Sequence, residues 1–137
     1  MPYDLSNKHI LLVDDSAIMR MVLVMNLKRI FRVRITEAVD GLDAIAKLAK
    51  GGFDLVLTDI NMPNLDGIGL IRYLREELKL DVPIVIITTR GEAPDRDRGM
   101  ALGANAYVTK PVNMKELFWT VLTFLGGKQH GRPADVS

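Results

Sequence analysis

The chain reads as an α/β protein built on an open, doubly wound parallel sheet of five strands in the order 2-1-3-4-5. Three observations predict it. Short apolar runs of strand length alternate with amphipathic stretches of helical length, the pattern of repeated βα units. The runs near 9–13, 54–58 and 84–88 are nearly continuous in Leu, Ile and Val, as strands covered on both faces must be. The runs near 32–37 and 104–109 are mixed in character, which places them at the sheet edges. Four of the five runs also stop on a polar or charged residue, and a parallel sheet lines up all its carboxyl ends along one rim.

Each element has its own signals. Ile10-Leu11-Leu12-Val13 runs into Asp14-Asp15, and the polar residues 1–7 before it read as a lead-in to a domain spanning 8–125. A helix over 16–29 follows. The second strand alternates Arg32, Arg34 and Thr36 with Val33 and Ile35. Asp40-Gly41 and Gly51-Gly52 bracket a helix over 41–50, the first as a cap and the second as a stop. Leu55-Val56-Leu57-Thr58 ends at Asp59, and the turn-rich Met62-Pro63-Asn64-Leu65-Asp66-Gly67 leads into a helix over 66–79. Ile84-Val85-Ile86-Ile87 ends at Thr88, and Gly103 closes a helix over 94–102. Tyr107-Val108-Thr109 ends at Lys110-Pro111, and Asn113 with Glu116 resembles a capping box opening a helix over 114–125. Residues 126–137 carry Gly, Pro and polar side chains without periodicity, and are expected to be a flexible tail or the start of a linker.

Composition narrows the classes. At 137 residues, 48% hydrophobic and 26% charged, the chain has the makeup of one soluble domain. A net charge of +1 with no basic stretch argues against direct nucleic-acid binding. The absence of cysteine excludes disulfides and thiolate chemistry. No apolar run approaches the roughly 18 residues of a membrane span. The polar N-terminus lacks a signal-peptide core, so a cytoplasmic location is the expectation.

The rim residues make a specific set. Asp14, Asp15 and Asp59 offer the oxygen donors that a hard divalent cation prefers, and close carboxylates repel without one. A carboxylate is also a nucleophile toward phosphorus. Asp59, on the central strand and before a flexible loop, is the best candidate for that role, with Asp14 and Asp15 as metal ligands. Lys110 and the Thr88 hydroxyl supply positive charge and a donor for the phosphoryl oxygens. Taken singly, each has a plainer explanation: an N-cap cluster, a loop-opening aspartate, the end of a β-branched strand, a solvated lysine. Their joint placement on one rim is what favours the chemical reading.

Leu-Leu-Val-Asp14-Asp15-Ser16, Leu57-Thr58-Asp59-Ile60-Asn61-Met62-Pro63, Thr88 and Tyr107-Val108-Thr109-Lys110-Pro111 resemble the receiver domains of two-component response regulators. The likeness extends over roughly residues 8–125, and Asp14 to Arg20 is most similar to the CheY-like single-domain regulators. The resemblance implies a flavodoxin-like fold and phosphoryl transfer onto Asp59 from a histidine kinase or phosphotransfer protein. It implies Mg²⁺ (or Mn²⁺) bound by Asp15 directly, by Asp14 largely through water, by Asp59 and by the Asn61 backbone carbonyl. Lys110 would contact the phosphoryl group, with a cis bond to Pro111. Thr88 would move toward the phosphoryl oxygens and Tyr107 would turn inward behind it. The output face would be helix 94–102, strand 104–109 and helix 114–125, binding a downstream protein or a second copy, in chemotaxis, motility or a phosphorelay.

Asn61, Thr89 and Arg90 occupy rim positions expected to tune the rates, and Thr89 stands where the family usually has a smaller residue. On a helical wheel of 114–125, Met114, Leu117, Val121, Phe124 and Leu125 form the core face. Trp119 points nearly opposite with Leu122 toward its side, so both are expected to form a partner surface. Two other readings remain. An aspartyl-phosphate phosphatase of the haloacid dehalogenase type would pair its nucleophile with an Asp two residues on, where this chain has Asn61. The chain could also be the receiver of a larger regulator or hybrid kinase.

Overall fold

In a computed structural model, which describes residues 3–126, five parallel strands form one sheet in the order β2-β1-β3-β4-β5. They are β1 (Tyr3–Val13), β2 (Phe31–Ala38), β3 (Leu55–Asp59), β4 (Ile84–Thr88) and β5 (Ala106–Thr109). The helices are α1 (Ala17–Ile30), α2 (Gly41–Leu48), α3 (Gly67–Arg72), α4 (Ala93–Leu102) and α5 (Met114–Leu125). A π-helical turn, Tyr73–Glu77, continues α3, and a 3₁₀ turn, Arg90–Glu92, precedes α4.

The strand composition explains the order. β3 and β4 are buried at every residue, and β1 is buried from Ile10 onward, because helices cover both faces of the sheet there. Edge strand β2 keeps Arg32 and Arg34 exposed, alternating with the buried Phe31 and Val33. Two cores result. One, containing Leu12, Leu27, Leu57, Val85 and Leu117, lies on the α1 and α5 side; the other, containing Leu11, Val56, Ile71, Leu74 and Ile86, lies on the α2, α3 and α4 side.

N-caps open the helices within a residue of where the sequence predicts, although α2 ends at Leu48, short of the expected stop at Gly51-Gly52. Ser16, Asp40, Asp66 and Asn113 each accept a hydrogen bond from the backbone N–H three residues on. Gly103 ends α4 at φ 124°, where a side chain would be strained.

β1 departs from expectation. It begins at Tyr3, so residues 3–7, expected as a lead-in, extend the strand instead. Tyr3 to Leu5 pair with Phe31 to Val33, and the register shifts before His9. This stretch is polar because only β2 flanks it; β3 joins β1 at Ile10. Tyr3 packs on Phe31 and Phe118, with ring centroids at 6.1 and 5.4 Å, and ties the strand extension to α5. The expected tail over 126–137 lies outside the described residues apart from Gly126.

Trp119 and Leu122 also depart from expectation, and the partner surface assigned to them is corrected. Both are buried, at 8% and 3% exposure, within the core that holds Leu23, Leu27 and Phe31. The wheel assumed that α5 buries one stripe against the sheet. The helix packs on α1 as well as on β3 and β5, so its buried arc is wider. Trp119 sets its ring edge-on to Phe118 at 5.0 Å.

Candidate phosphoryl-transfer site

The sheet's carboxyl rim gathers the predicted residues. β1 delivers Asp14 and Asp15, β3 delivers Asp59, β4 ends at Thr88, and β5 leads directly into Lys110. The backbone locks these ends together: Asp14 N–H donates to the Ala38 carbonyl at 3.1 Å, and Lys110 N–H donates to the Thr88 carbonyl at 2.6 Å. The Lys110–Pro111 bond is cis.

Carboxylate oxygens of Asp14, Asp15 and Asp59 lie within 4.8 Å of one another. Asp14 and Asp59 are buried and Asp15 is exposed. The Lys110 ammonium stands 3.3 Å from Asp59 Oδ2 and 4.0 Å from Asp14 Oδ2. Burial pushes the Asp59 carboxyl above its usual range, and the Asp14 charge adds to that. Lys110 and the hydrogen bond from Ile60 N–H pull the other way. Asp14 is likewise raised, chiefly by burial and further by Asp15, against the opposing pull of Ser16 N–H and Lys110. Three carboxylates facing one ammonium leave two negative charges uncompensated at full ionisation. An all-oxygen donor set with that deficit fits a hard divalent cation.

The surroundings fix these groups. Asp14 Oδ1 accepts from Ser16 N–H at 2.8 Å, and its carbonyl accepts from Arg20 at 2.6 Å. Asp59 Oδ1 accepts from Ile60 N–H at 2.8 Å, and Gly67 N–H at the start of α3 donates to the Ile60 carbonyl at 2.8 Å.

Comparison with known proteins agrees with this geometry. Residues 10–122 match the model of the response regulator receiver domain. The chain belongs to that family. The transcriptional regulatory protein ResD of Bacillus subtilis is 40% identical to the receiver domain over 116 residues, which is 85% of this chain and 47% of ResD. The chain spans less than half the length of the curated relatives it matches first. The structure of the chemotaxis response regulator CheY4 of Vibrio cholerae superposes with a TM-score of 0.77 at 30% identity, covering 86% of this chain and 98% of that one. The receiver domain of the sensor histidine kinase PA1611 from Pseudomonas aeruginosa was solved with a magnesium ion in its active-site cleft. It superposes with a TM-score of 0.79 at 30% identity, covering 88% of this chain and 99% of that one.

Within the receiver domain, the remaining predicted residues bond to other partners or face solvent. The buried Thr88 hydroxyl bonds to the Thr89 carbonyl and to Glu92 Oε1, each at 3.2 Å. Tyr107 is 42% exposed and carries the Arg96 guanidinium 4.5 Å above its ring. Asn61, Thr89 and Arg90 are exposed. Sequence reasoning missed Glu92. It bonds to Thr88, to Thr89 N–H at 2.8 Å, to the Thr89 hydroxyl at 3.0 Å and to the Asn61 amide. The signal was available: Thr89-x-x-Glu92 is a capping-box spacing, and the box is formed. Arg20 was missed as well; it joins the Asp14 carbonyl to Glu37, whose carboxylate lies 2.9 Å away.

Proposed function

We propose that this receiver is a phosphorylation-controlled switch that takes a phosphoryl group on Asp59 from a histidine kinase or phosphotransfer protein. The observation that carries the reading is the Lys110 ammonium 3.3 Å from a buried Asp59 carboxylate, beside two further aspartates. An Asp59 oxygen attacks phosphorus, the P–O bond forms as the P–N bond breaks, and the electron pair leaves with the imidazole. Lys110 faces the charge on the transferring oxygens. Magnesium or manganese, held by Asp14, Asp15, Asp59 and the Asn61 carbonyl, supplies further positive charge there when bound. Water later cleaves the acyl phosphate, under the influence of Asn61, Thr89 and Arg90 at the mouth. No turnover of an external substrate is involved.

The phosphoryl group biases two conformations. Thr88 moves toward the phosphoryl oxygens, Tyr107 leaves Arg96 and turns inward, and the α4–β5–α5 face changes shape for a downstream protein or a second copy. Chemotaxis, motility or a phosphorelay is the favoured setting, in the cytoplasm, supported by the likeness to CheY4. The likeness to longer regulators such as ResD favours a second reading, in which this receiver governs a further domain. Incubation with Mg²⁺ and a small acyl phosphate tests the central step. Intact mass should rise by one phosphoryl group in the wild type and not in Asp59→Asn; equal labelling of both would refute it.

The cation has a separate test in stability. At about 100 times its Kd, Mg²⁺ should stabilise the fold by about 2.7 kcal/mol. Asp14→Asn should remove most of that gain yet be the more stable protein when metal-free at neutral pH. The sign follows from burial. Asp14 is held above its usual value of 3.8, so its protonated form favours the fold. That contribution is present below 3.8 and is lost as pH rises through the elevated value. The difference between wild-type and variant unfolding curves, with chelator and across pH, isolates it. A flat difference would contradict the assignment.

The donor also has a surface to dock on. Ile18, Met21, Val22 and Met25 are all exposed at helical spacing, with Ile18 at 71%. They form an apolar stripe along α1 that begins two turns or less from Asp14-Asp15. A stripe of this kind marks an interaction surface, and an amphipathic helix bearing the phosphohistidine fits it. Met21→Glu with Met25→Glu should cut loading from a phosphorylated histidine kinase by about tenfold, one RT-scaled step of 1.4 kcal/mol. Loading from a small acyl phosphate should stay unchanged, and parallel losses would argue against docking here.

A further inference from the structure

Glu92 spans two loops with one carboxylate. Oε1 takes the Thr88 hydroxyl at 3.2 Å, together with Thr89 N–H and the Thr89 hydroxyl. Oε2 takes the Asn61 side-chain amide from across the mouth. Thr88 has one hydroxyl proton, and its acceptors here are Glu92 and the Thr89 carbonyl, not Asp59. Asn61 lies two residues beyond Asp59, so the same carboxylate ties down the loop that follows the nucleophile. We propose that Glu92 is a positioning residue that latches the resting state, holding the Thr88 hydroxyl off Asp59 and Asn61 across the mouth with the same carboxylate. The latch rests on the phosphoacceptor reading of Asp59. Its physical content is that two groups expected to act in loading are released together when one acceptor lets go. Charge-assisted bonds of this kind are the stronger class of hydrogen bond.

The plainer role for Glu92 is the capping box with Thr89 at the start of the 3₁₀ turn before α4. Two variants separate the roles. Glu92→Gln keeps a carbonyl oxygen for Thr89 N–H and Thr88 but strips the charge from the Asn61 contact, leaving at most a neutral amide–amide bond there. Glu92→Ala removes both contacts and the cap.

The experiment measures loading by a small acyl phosphate with Mg²⁺ for wild type, Glu92→Gln, Glu92→Ala, Asn61→Ala and the double variant Glu92→Gln/Asn61→Ala. The Thr88 methyl resonance is followed in the unphosphorylated proteins, with beryllofluoride-treated wild type as the end point. Loss of a charged hydrogen bond predicts loading faster by about tenfold in Glu92→Gln. The double variant should load no faster than the quicker single variant, because both substitutions act on one contact. The Thr88 methyl should move part-way toward the end point in Glu92→Ala and stay put in Glu92→Gln. Rates that multiply in the double variant, or a Thr88 resonance unmoved in folded Glu92→Ala, would overturn the latch. If Glu92→Ala fails to fold, the Glu92→Gln and Asn61→Ala cycle decides alone. Wild type that takes no phosphoryl group on Asp59 would overturn the reading beneath it. Wild type that loads while every Glu92 variant loads identically would overturn the latch only.

Discussion

Replacing Lys110 with alanine should slow phosphoryl loading by on the order of 10²–10³, the loss typical when one preorganised charge partner is removed from a transition state. The geometry explains the size. Lys110 is the only ammonium within 4.0 Å of the Asp59 and Asp14 carboxylates among the described residues. β5 delivers it rigidly, with its own N–H donating to the Thr88 carbonyl at 2.6 Å. Without it, Asp59 and Asp14 lose a partner that pulls both carboxyls toward the ionised, nucleophilic form. Lys110→Arg should recover little, because a planar guanidinium is larger and fixed in its donor directions, whereas an ammonium is a compact point charge. Initial rates with a small acyl phosphate at saturating Mg²⁺ measure this. Wild-type rates in Lys110→Ala would show that the cation near Asp59 is structural.

Gly67→Ala should do comparable harm by a different route. A Cβ at Gly67 would stand 2.3 Å from the Asp59 carbonyl oxygen and 2.9 Å from Ile60 Cα. Both are backbone atoms, so no side chain can swing aside. The start of α3 must retreat from the end of β3, breaking the Gly67 N–H bond to Ile60 and shifting the segment that aims Asp59. Overpacking of this kind costs about 1–3 kcal/mol and sometimes more. A displacement of about 1 Å at a nucleophile can cost about 100-fold in rate. Gly91→Ala is the control: the nearest atom to its Cβ is the Thr89 hydroxyl oxygen at 3.9 Å, so both stability and loading should hold. Urea unfolding and loading rates of the two variants give the comparison. Equal behaviour would mean that α3 does not position Asp59.

Much of this was legible in the chain because the constraints were local or periodic. Strands covered on both faces need unbroken apolar residues, so 84–88 is fully legible and 54–58 needs only a shift of one residue. Asp40, Asn113 and Gly103 cap as their types demand. Asp14, Asp15, Asp59 and Lys110 could be brought together on paper because a parallel sheet has only one carboxyl rim. What failed depended on contacts between distant elements. The strand extension at Tyr3–Leu5 is polar and pairs only with β2, so no pattern announced it. Trp119 and Leu122 are buried because α1 and the sheet together enclose α5, which a wheel drawn for one interface does not capture. Glu92 was visible as a cap three residues after Thr89. Its distant partner, Asn61, is 31 residues away and is set by tertiary placement alone.

A crystal structure of the protein with Mg²⁺ and beryllofluoride, a stable mimic of the phosphoryl group, tests whether Asp59 is the acceptor. Beryllium should be bonded to an Asp59 carboxylate oxygen, with Lys110 against a fluorine. The cation should be held among Asp14, Asp15, Asp59 and the Asn61 carbonyl, and Thr88 should have turned from Glu92. Beryllofluoride attached elsewhere, or a cation bound away from those aspartates, would contradict it.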